Sequence, residues 1–289
     1  LQRKNNKIKK IINQVDEEIT DKAKKSWFTS EAILIGAGAG MGVDSGLPVF
    51  RGENGFWKAY PPLAKLGIQF EEMANPRWFR DDPRLAWGFY GHRFNLYRKT
   101  IPHKGFEILI KKFKDENIPT FIFTSNVDGQ FQKAGFPENL IMECHGSIMH
   151  LQCMESCGYP IWPIDSGTVI NIDSETLLAE EPLPACPNCK SIARPNILMF
   201  SDFEWDHSRT TYQRKKMDDW LEDKKQKKLL VIEIGAGSDI PTVRLTCEEI
   251  FQLIGDQFIR VNPVESECNI KDSLSLSMGA ENALKIIAK

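Results

Sequence analysis

Short runs of apolar residues recur along the chain, and each is followed by a turn signal such as Gly-x-Gly, Ser-Asn or Asn-Pro. These runs are Ala32 to Ile35, Thr120 to Thr124, Leu229 to Ile234 and Gln257 to Val261. Continuous rather than alternating apolar runs are typical of parallel strands covered on both faces. Between them, apolar residues recur at helical spacing, as in Phe106, Leu109, Ile110 and Phe113. This alternation predicts an α/β fold with a doubly wound, Rossmann-like parallel sheet, whose ligands bind at the carboxyl ends of the strands.

Two stretches depart from this rhythm. Residues 56–100 are rich in aromatic side chains and predict a helical insertion, in which packing is favoured over ligand recognition. Residues 151–193 contain paired cysteines and several prolines, which predict a small, loop-rich module. We therefore expect residues 26–150 and 194–289 to form the sheet domain, and residues 1–25 to form an N-terminal helical extension.

Composition and charge exclude several classes of protein. The 289 residues are 42% hydrophobic and 26% charged, ordinary values for a globular chain that needs no disulfides for its core. The formal net charge of −2 disfavours direct binding of nucleic acid. No apolar run is long enough to span a membrane, and the lysine-rich N-terminus lacks the apolar core of a secretory signal. We expect a cytoplasmic location or another reducing intracellular compartment.

Four of the seven cysteines are arranged as C-x3-C and C-x2-C pairs: Cys153 and Cys157, then Cys186 and Cys189. Four thiolates form a closed tetrahedral zinc site with no position for a water, so we predict a structural Zn²⁺. The alternative is two unrelated pairs of thiols. The 28 residues between Cys157 and Cys186 exceed the usual spacing, and we interpret Ile161 to Pro184 as an insertion.

The first predicted strand runs into a turn with several glycines, Gly36-Ala37-Gly38-Ala39-Gly40-Met41-Gly42. Glycines in such a turn allow a pyrophosphate to approach the backbone. Alternatively, they serve tight packing, and their spacing is not a clean G-x-G-x-x-G.

Several motifs occur in the order in which they occur in the sirtuins, the family of NAD-dependent protein deacylases, which the chain resembles from Glu31 to Val264. The motifs are Gly36-Ala37-Gly38, Ser45-Gly46-Leu47-Pro48, Phe50-Arg51, Gly55-Phe56-Trp57, Thr124-Ser125-Asn126-Val127-Asp128, His145-Gly146, the four cysteines followed by Arg194-Pro195, Gly235-Ala236-Gly237 and Asn262. The first loop, Gly40 to Pro48, looks more like the bacterial and macrodomain-linked members.

The resemblance implies three catalytic residues. His145 acts as the general base that takes a proton from a ribose hydroxyl, which suits an imidazole because its pKa lies near neutrality. Asn126 holds a water or the nicotinamide ribose, and Asp128 anchors that loop or the ribose. Out of context, Asn126 and Asp128 would predict an Asx turn. The other histidines are interpreted as structural: His92, His103, His150 and His207.

The resemblance also implies that NAD is the co-substrate. Its amide ligands would lie in the first glycine turn, Arg51 would hold the pyrophosphate, and Phe50 would cover the nicotinamide pocket. The implied cofactor-binding residues are Gly36, Ala37, Gly38, Ser45, Phe50, Arg51, Ser125, Asn126, Asp128, Gly235, Ala236, Gly237 and Asn262.

Departures from the family pattern leave the acceptor of the reaction open. Val49 replaces an Asp, Ser125 replaces a Gln, and the peptide-gripping loop is Phe200 to Trp205. The implied function is an NAD-dependent protein-lysine deacylase that releases nicotinamide and forms acyl-ADP-ribose, with an acylated protein lysine as its partner. Alternatives are a protein ADP-ribosyltransferase with an acceptor protein, an NAD hydrolase, a non-catalytic NAD sensor and, disfavoured by charge, a zinc-ribbon nucleic-acid binder. We interpret the insertion at 161–184 as able to shape the acceptor side.

Overall fold

The structure, a computed structural model, describes residues 17–48, 53–165 and 167–289. Val49, Phe50 and Arg51 lie outside the described residues, as does most of the predicted N-terminal extension, so those predictions stay predictions. Residues 17–29 are helical. Within the described ranges, no helix has both the length and the apolar character needed to cross a membrane.

The strands of the described residues form two sheets. A six-stranded sheet has the order β3-β2-β1-β7-β8-β9, and a three-stranded sheet has the order β5-β4-β6. The strands are β1 (Ala32–Ala37), β2 (Thr120–Thr124), β3 (Ile141–Glu143), β4 (Gly146–Cys153), β5 (Trp162–Pro163), β6 (Ala193–Ile197), β7 (Leu229–Ile234), β8 (Gln257–Val261) and β9 (Ser273–Leu276).

Helices cover the large sheet on both faces and fill the insertion. They are α1 (17–29), α2 (Glu53–Ala59), α3 (Pro61–Lys65), α4 (Phe70–Met73), α5 (Trp78–Asp81), α6 (Pro83–Lys99), α7 (Lys104–Lys114), α8 (Gln130–Ala134), α9 (Ser208–Lys224), α10 (Thr242–Ile254) and α11 (Ala280–Ile287). Two 3₁₀-helices span Ala39–Ser45 and Glu138–Leu140.

The large sheet confirms the predicted doubly wound α/β fold. All of its strand pairs are parallel. The chain builds outward from β1 to β3 on one side and then from β7 to β9 on the other, so the strand order reverses between β1 and β7. Crevices at the carboxyl ends of strands at such a switch point are where ligands of this fold bind.

The apolar runs became strands because both faces of the sheet are covered. Ile33 and Ile35 of β1 belong to the core beneath α7 and α11, whereas Leu34 packs in the core beneath α9 and α10. All six residues of β1 are buried, and the strand ends at Ala37, two residues beyond the predicted end. β9 was not predicted, because its alternating Ser273 and Ser275 interrupt the apolar pattern.

The predicted helical insertion is confirmed as α2 to α6. It packs on the small sheet in a separate core, which includes Trp87, Phe89 and Phe94 of α6 together with Ile148 and Leu151 of β4. The small sheet takes in Gly146–Cys153 and Ala193–Ile197, slightly more than residues 151–193.

Residues 167–179, which we call the strap, follow one face of α6. The Asn95 amide donates to the Ile170 carbonyl at 2.7 Å, and the Arg84 guanidinium donates to the Ala179 carbonyl at 2.9 Å. Gly88 is required between them, since a Cβ there would lie 1.7 Å from the Leu177 carbonyl oxygen. This part of the predicted insertion therefore packs along α6.

Candidate functional site

A cavity of about 550 Å³ opens at the carboxyl edge of the large sheet, beside the switch point. This volume lies within the usual range for small-molecule sites. Its polar lining includes several residues that the sequence nominated: Ser125, Asn126, Asp128 and His145. The structure thus brings the three predicted catalytic residues to one cavity, although they come from different segments of the chain.

His145 is placed at the cavity by the backbone around it. It follows β3, and its carbonyl accepts a hydrogen bond from the Leu198 amide at 3.0 Å. Gly146, the next residue, has a φ of 78°, and a Cβ there would lie 2.0 Å from the Asn196 carbonyl oxygen. The glycine of the His-Gly pair is therefore needed for a sharp turn into β4.

Asn126 ties the end of β2 to the first glycine turn. Its side-chain amide donates to the Gly38 carbonyl at 2.9 Å. The Thr124 hydroxyl accepts from the Asn126 amide at 3.0 Å and donates to the Ala37 carbonyl at 2.8 Å. Two of the predicted site segments are therefore held in a fixed relation by side-chain hydrogen bonds.

Asp128 is a buried carboxyl group that lines the cavity. One carboxylate oxygen accepts from the Gln130 amide at 2.9 Å, which is the Asx-type turn that the sequence offered as an alternative. Burial raises the pKa of Asp128 to about 6; the Glu143 carboxylate adds to the increase, while the Gln130 amide and the Arg93 guanidinium oppose it. Asp128 therefore combines a local structural role with an unusual titration near neutral pH.

The glycines of the first turn serve close packing. A Cβ at Gly38 would lie 2.6 Å from the Ala236 Cα, and one at Gly40 would lie 2.6 Å from the Gly235 Cα. A Cβ at Gly36 would lie 2.0 Å from the Cys247 Sγ. The alternative explanation in the sequence analysis, tight packing, accounts for these glycines, because the first glycine turn rests directly on the second.

Among the described residues, the other predicted cofactor residues are not part of the cavity lining. Gly36 and Ala37 are buried inside β1. The Ser45 hydroxyl accepts from the His103 amide at 2.9 Å, which fixes the start of α7. Asn262 donates to the Ala236 carbonyl at 3.0 Å, beneath the second glycine turn. Their contacts with a cofactor stay predictions.

The lining also includes residues that the sequence analysis did not assign to the site, among them three polar residues of one helix. Tyr90, Arg93 and Tyr97 of α6 face the cavity, and the Arg93 Nε donates to the Tyr97 hydroxyl at 3.0 Å. The sequence analysis assigned the aromatic residues of this insertion to packing, which holds for most of them. The signal that could have found these three is their spacing of three and four residues on one helix face.

The loop from Leu198 to Trp205 forms the outer rim of the cavity. A buried ion pair shapes it, since the Arg194 guanidinium holds both Asp202 carboxylate oxygens at 2.7 and 2.8 Å. Phe203 is 97% exposed at this rim, and Phe200 is 36% exposed. Two apolar side chains are therefore exposed beside the polar lining of the cavity.

Among the described residues of the 161–184 insertion, none lines the cavity. The expectation that this insertion shapes the acceptor side stays a prediction. The strap lies against α6, whose residues Tyr90, Arg93 and Tyr97 line the cavity.

The four predicted metal ligands meet in one cluster. Their sulfur atoms all lie within 4.8 Å of one another. The Cys153 and Cys189 sulfurs are 3.5 Å apart, and those of Cys157 and Cys186 are 3.6 Å apart. Zn–S bonds of about 2.3 Å in a tetrahedron place sulfurs about 3.8 Å apart, so the cluster fits zinc. The sequence pairs interleave in space, which contradicts the alternative of two unrelated thiol pairs.

Three of the four histidines interpreted as structural have hydrogen-bond partners, whereas the buried Nδ1 of His150 has none. His103 contacts the Met41 carbonyl at 2.9 Å and accepts from the Gly105 amide at 2.9 Å, which caps α7. The His92 ring contacts the Tyr60 hydroxyl at 3.0 Å, and the His207 ring contacts the Thr211 hydroxyl at 3.0 Å. Burial lowers the pKa of His150 to about 4, so this residue is neutral at physiological pH.

Comparisons with known proteins agree with this arrangement. The family model described as "Sir2 family" matches residues 38–235. An NAD-dependent protein deacylase of Thermococcus kodakarensis is 34% identical over 165 residues, which cover 57% of this chain and 58% of that protein. NAD-dependent protein deacylase 1 of Caldanaerobacter subterraneus subsp. tengcongensis is 34% identical over 173 residues, covering 60% of this chain and 62% of the relative.

The chain thus spans about three fifths of the length of these curated relatives. Among solved structures, a Sir2 homolog–NAD complex has a TM-score of 0.67 and 25% identity, covering 93% of this chain and 92% of that chain. The architecture is therefore shared over nearly the full length of both chains.

Proposed function

Because the chain belongs to the Sir2 family, we propose that it is an NAD-dependent protein-lysine deacylase. It would release nicotinamide and form acyl-ADP-ribose, with an acylated protein lysine as its substrate. The observation that carries this proposal is the meeting of Asn126, Asp128 and His145 at one cavity beside the switch point of the sheet. The curated relatives described as NAD-dependent protein deacylases support it.

The residues present fit an NAD molecule bound across the switch point. In doubly wound folds the two halves of a dinucleotide lie on opposite sides of this point. The nicotinamide ribose would lie at Ser125, Asn126 and Asp128, where the polar lining of the cavity is concentrated. The two glycine turns and Asn262 would hold the rest of the cofactor. Residues 26–150 and 194–289 would then form the NAD-binding domain.

When bound, NAD supplies an ADP-ribosyl group whose bond to nicotinamide can be exchanged for a bond to the acyl oxygen. His145 would accept a proton from a ribose hydroxyl at this stage, as a general base. Asn126 would orient the ribose or a water. It is pre-organised for this role, because its side chain is already bound to the Gly38 carbonyl.

Asp128 would hold the nicotinamide-ribose loop in place. Its pKa of about 6 means that the carboxyl group is mostly ionised above that pH, when it can accept hydrogen bonds from a ribose hydroxyl. The exposed Phe203 and Phe200 at the rim would contact the acylated peptide. These exposed side chains support an extended protein segment as the substrate.

The Cys153, Cys157, Cys186 and Cys189 cluster would hold a structural Zn²⁺. Four thiolates complete the tetrahedral coordination and leave no position for a water or a substrate. Residues 151–193 would therefore act as a folded module that supports the rim and take no part in the chemistry.

The test is incubation of the protein with NAD and an acyl-lysine peptide library, followed by mass spectrometry of the products. Deacylation yields acyl-ADP-ribose and free lysine, ADP-ribosylation yields a heavier peptide, and NAD hydrolysis yields free ADP-ribose. His145→Ala should lower acyl-ADP-ribose formation by about 10²- to 10⁴-fold, the range for loss of a general base. The matched control is His207→Ala, at an exposed residue outside the cavity. A wild-type protein that forms only modified peptide or free ADP-ribose would contradict the deacylase proposal.

A further inference from the structure

A group of paired charges lies beneath the second glycine turn, on the side of the switch point away from His145. Glu233 of β7 stands directly opposite Arg260 of β8, and both side chains are almost fully buried. The Arg260 guanidinium holds both Glu233 carboxylate oxygens at 2.8 Å. Ionised residues are rare in the centre of a parallel sheet and are retained only when they are paired.

Arg244 of α10 extends this group to the loops above it. Its Nε and Nη2 donate to the Ala236 carbonyl at 3.1 and 2.9 Å, and its Nη2 donates to the Glu265 carbonyl at 2.7 Å. The Arg244 Nε also lies 3.8 Å from a Glu233 carboxylate oxygen. One guanidinium therefore joins the turn after β7 to the loop after β8.

The Ala236 carbonyl receives three donors, because Asn262 also donates to it at 3.0 Å. A trans peptide is planar, with its C=O and N–H groups pointing in opposite directions. Holding the Ala236 oxygen toward Arg244 therefore directs the Gly237 amide hydrogen away from it. Gly237 is partly exposed, so its donor group is presented at the outside of the turn.

The same turn lies against the first glycine turn, as the contact between Gly38 and Ala236 shows. A change in the orientation of the Ala236–Gly237 peptide would therefore shift both turns. The hydrogen bonds of Arg244 all come from one planar guanidinium group with five donors. Another side chain would not easily form the same set.

We propose that Arg244 is a positioning residue for cofactor binding: it fixes the second glycine turn and the loop after β8 in the arrangement that holds the adenosine half of NAD. This inference rests on the proposed function. His145 and Asn126 mark the nicotinamide half over β2 and β3, so the adenosine half lies over β7 and β8. Arg244 acts on affinity through the backbone and does not touch the reacting atoms.

The test compares Arg244→Gln with the wild type by isothermal titration calorimetry with NAD and by steady-state kinetics. Loss of hydrogen bonds from a charged donor corresponds to a rise of about 10- to 100-fold in the Kd for NAD. The KM for NAD rises by a similar factor while kcat stays within about twofold, because the contact is equal in ground and transition states. A merely structural role would lower the Tm without this division between KM and kcat.

Two further variants keep the test decisive. Arg244→Lys retains the charge with a single donor group, and it should give a Kd between those of the wild type and Arg244→Gln. If Arg244→Gln does not fold, a Kd for Arg244→Lys within about twofold of the wild type overturns the inference, and a larger rise supports it. Arg214→Gln, at an exposed arginine of α9, is the matched control and should leave the Kd unchanged.

The outcomes separate the inference from the proposed function. A wild-type protein that binds NAD, together with an Arg244→Gln variant of equal affinity, overturns the inference alone. A wild-type protein that binds no NAD overturns the proposed function, and the inference with it.

Discussion

The molecule has two halves that bury their apolar residues in different ways. One is the six-stranded sheet with its helices, and the other consists of the helical insertion, the small sheet and the strap. In the sheet, each strand is an apolar run whose residues alternate between two cores, one on each face. Its buried charges include the paired Glu233 and Arg260. This half is encoded by local apolar patterns.

The other half depends on contacts between distant segments. The Trp87 indole donates to the Ala193 carbonyl at 2.9 Å, and the Arg194 guanidinium holds the Asp202 carboxylate. Four cysteines from two segments meet in one cluster, and the strap lies along α6. Its strands are short or bulged, so regular hydrogen bonding alone holds little of it together.

The difference indicates where single substitutions should act most strongly. Apolar packing in the sheet is distributed over many residues, so the loss of one contact removes only a small part of its stabilisation. In the other half a few polar or metal-binding residues each hold two segments together. We therefore expect the largest effects of single substitutions there.

The largest effect is expected for Cys186→Ser. Cys186 is fully buried, and the binding energy of a structural zinc is folding energy, about 10–16 kcal/mol in small zinc domains. The variant should lose its metal and most of its soluble yield, as measured by zinc content and by thermal unfolding. Cys268→Ser, outside the cluster, is the control. A Cys186→Ser protein with one zinc per chain and an unchanged Tm would show that the cluster does not hold this half together.

A smaller but still large effect is expected for Arg194→Met. Both partners of the Arg194–Asp202 pair are buried, with 1% and 0% of their side chains exposed. Removing one partner leaves a buried, unpaired carboxylate, which costs about 3–5 kcal/mol. Urea unfolding measures the loss. Arg80→Met breaks the exposed Arg80–Glu204 pair and should cost less than about 1 kcal/mol. Equal losses in the two variants would remove the distinction between buried and exposed pairs.

The pH dependence of stability tests Asp128, which lies where the two halves meet. Its pKa of about 6 in the folded protein is above the value of 3.8 expected for an unfolded chain. The folded state therefore binds a proton more tightly, and this contribution to stability is present below pH 4 and is lost as the pH rises through 6. The loss amounts to about 3 kcal/mol.

Asp128→Asn removes this titration. The free energy of unfolding of the wild type, relative to the variant, should fall by about 2.4 kcal/mol between pH 4 and pH 7. Urea unfolding at a series of pH values gives the difference. A constant difference across this range would mean that burial does not raise the pKa of Asp128.

The same contrast explains how much of the molecule could be predicted from sequence. The strands β2, β7 and β8 were predicted with their observed bounds, because continuous apolar runs between turn signals are a local property. The cysteine cluster was also predictable, since thiol spacing carries the chemistry of the ligand set.

Other features have no local signal. Arg93 enters the cavity only because α6 is oriented by the strap and the small sheet. In the sequence, Glu233 and Arg260 are charged residues that interrupt apolar runs. They become partners because the register of β7 and β8 places them opposite each other. The glycines at 38 and 40 also contact a turn about two hundred residues away in the chain, and this contact has no local signal.

The smallest expected effect tests the strap itself. Asn95→Ala removes the hydrogen bond of 2.7 Å from the Asn95 amide to the Ile170 carbonyl, one of the side-chain links between α6 and the strap. A bond of this kind contributes about 1 kcal/mol, or about a fivefold change in a local opening equilibrium. Hydrogen exchange should therefore quicken about fivefold at amides of residues 167–179, while amides of β1 and β7 exchange at the wild-type rate. Asn139→Ala, at an exposed residue of the second 3₁₀-helix, is the matched control and should change neither set. Equal increases in the exchange rates of the sheet and strap amides would mean that the two halves unfold as one unit. The division between a locally encoded sheet and a half held by distant contacts would then not extend to their stability.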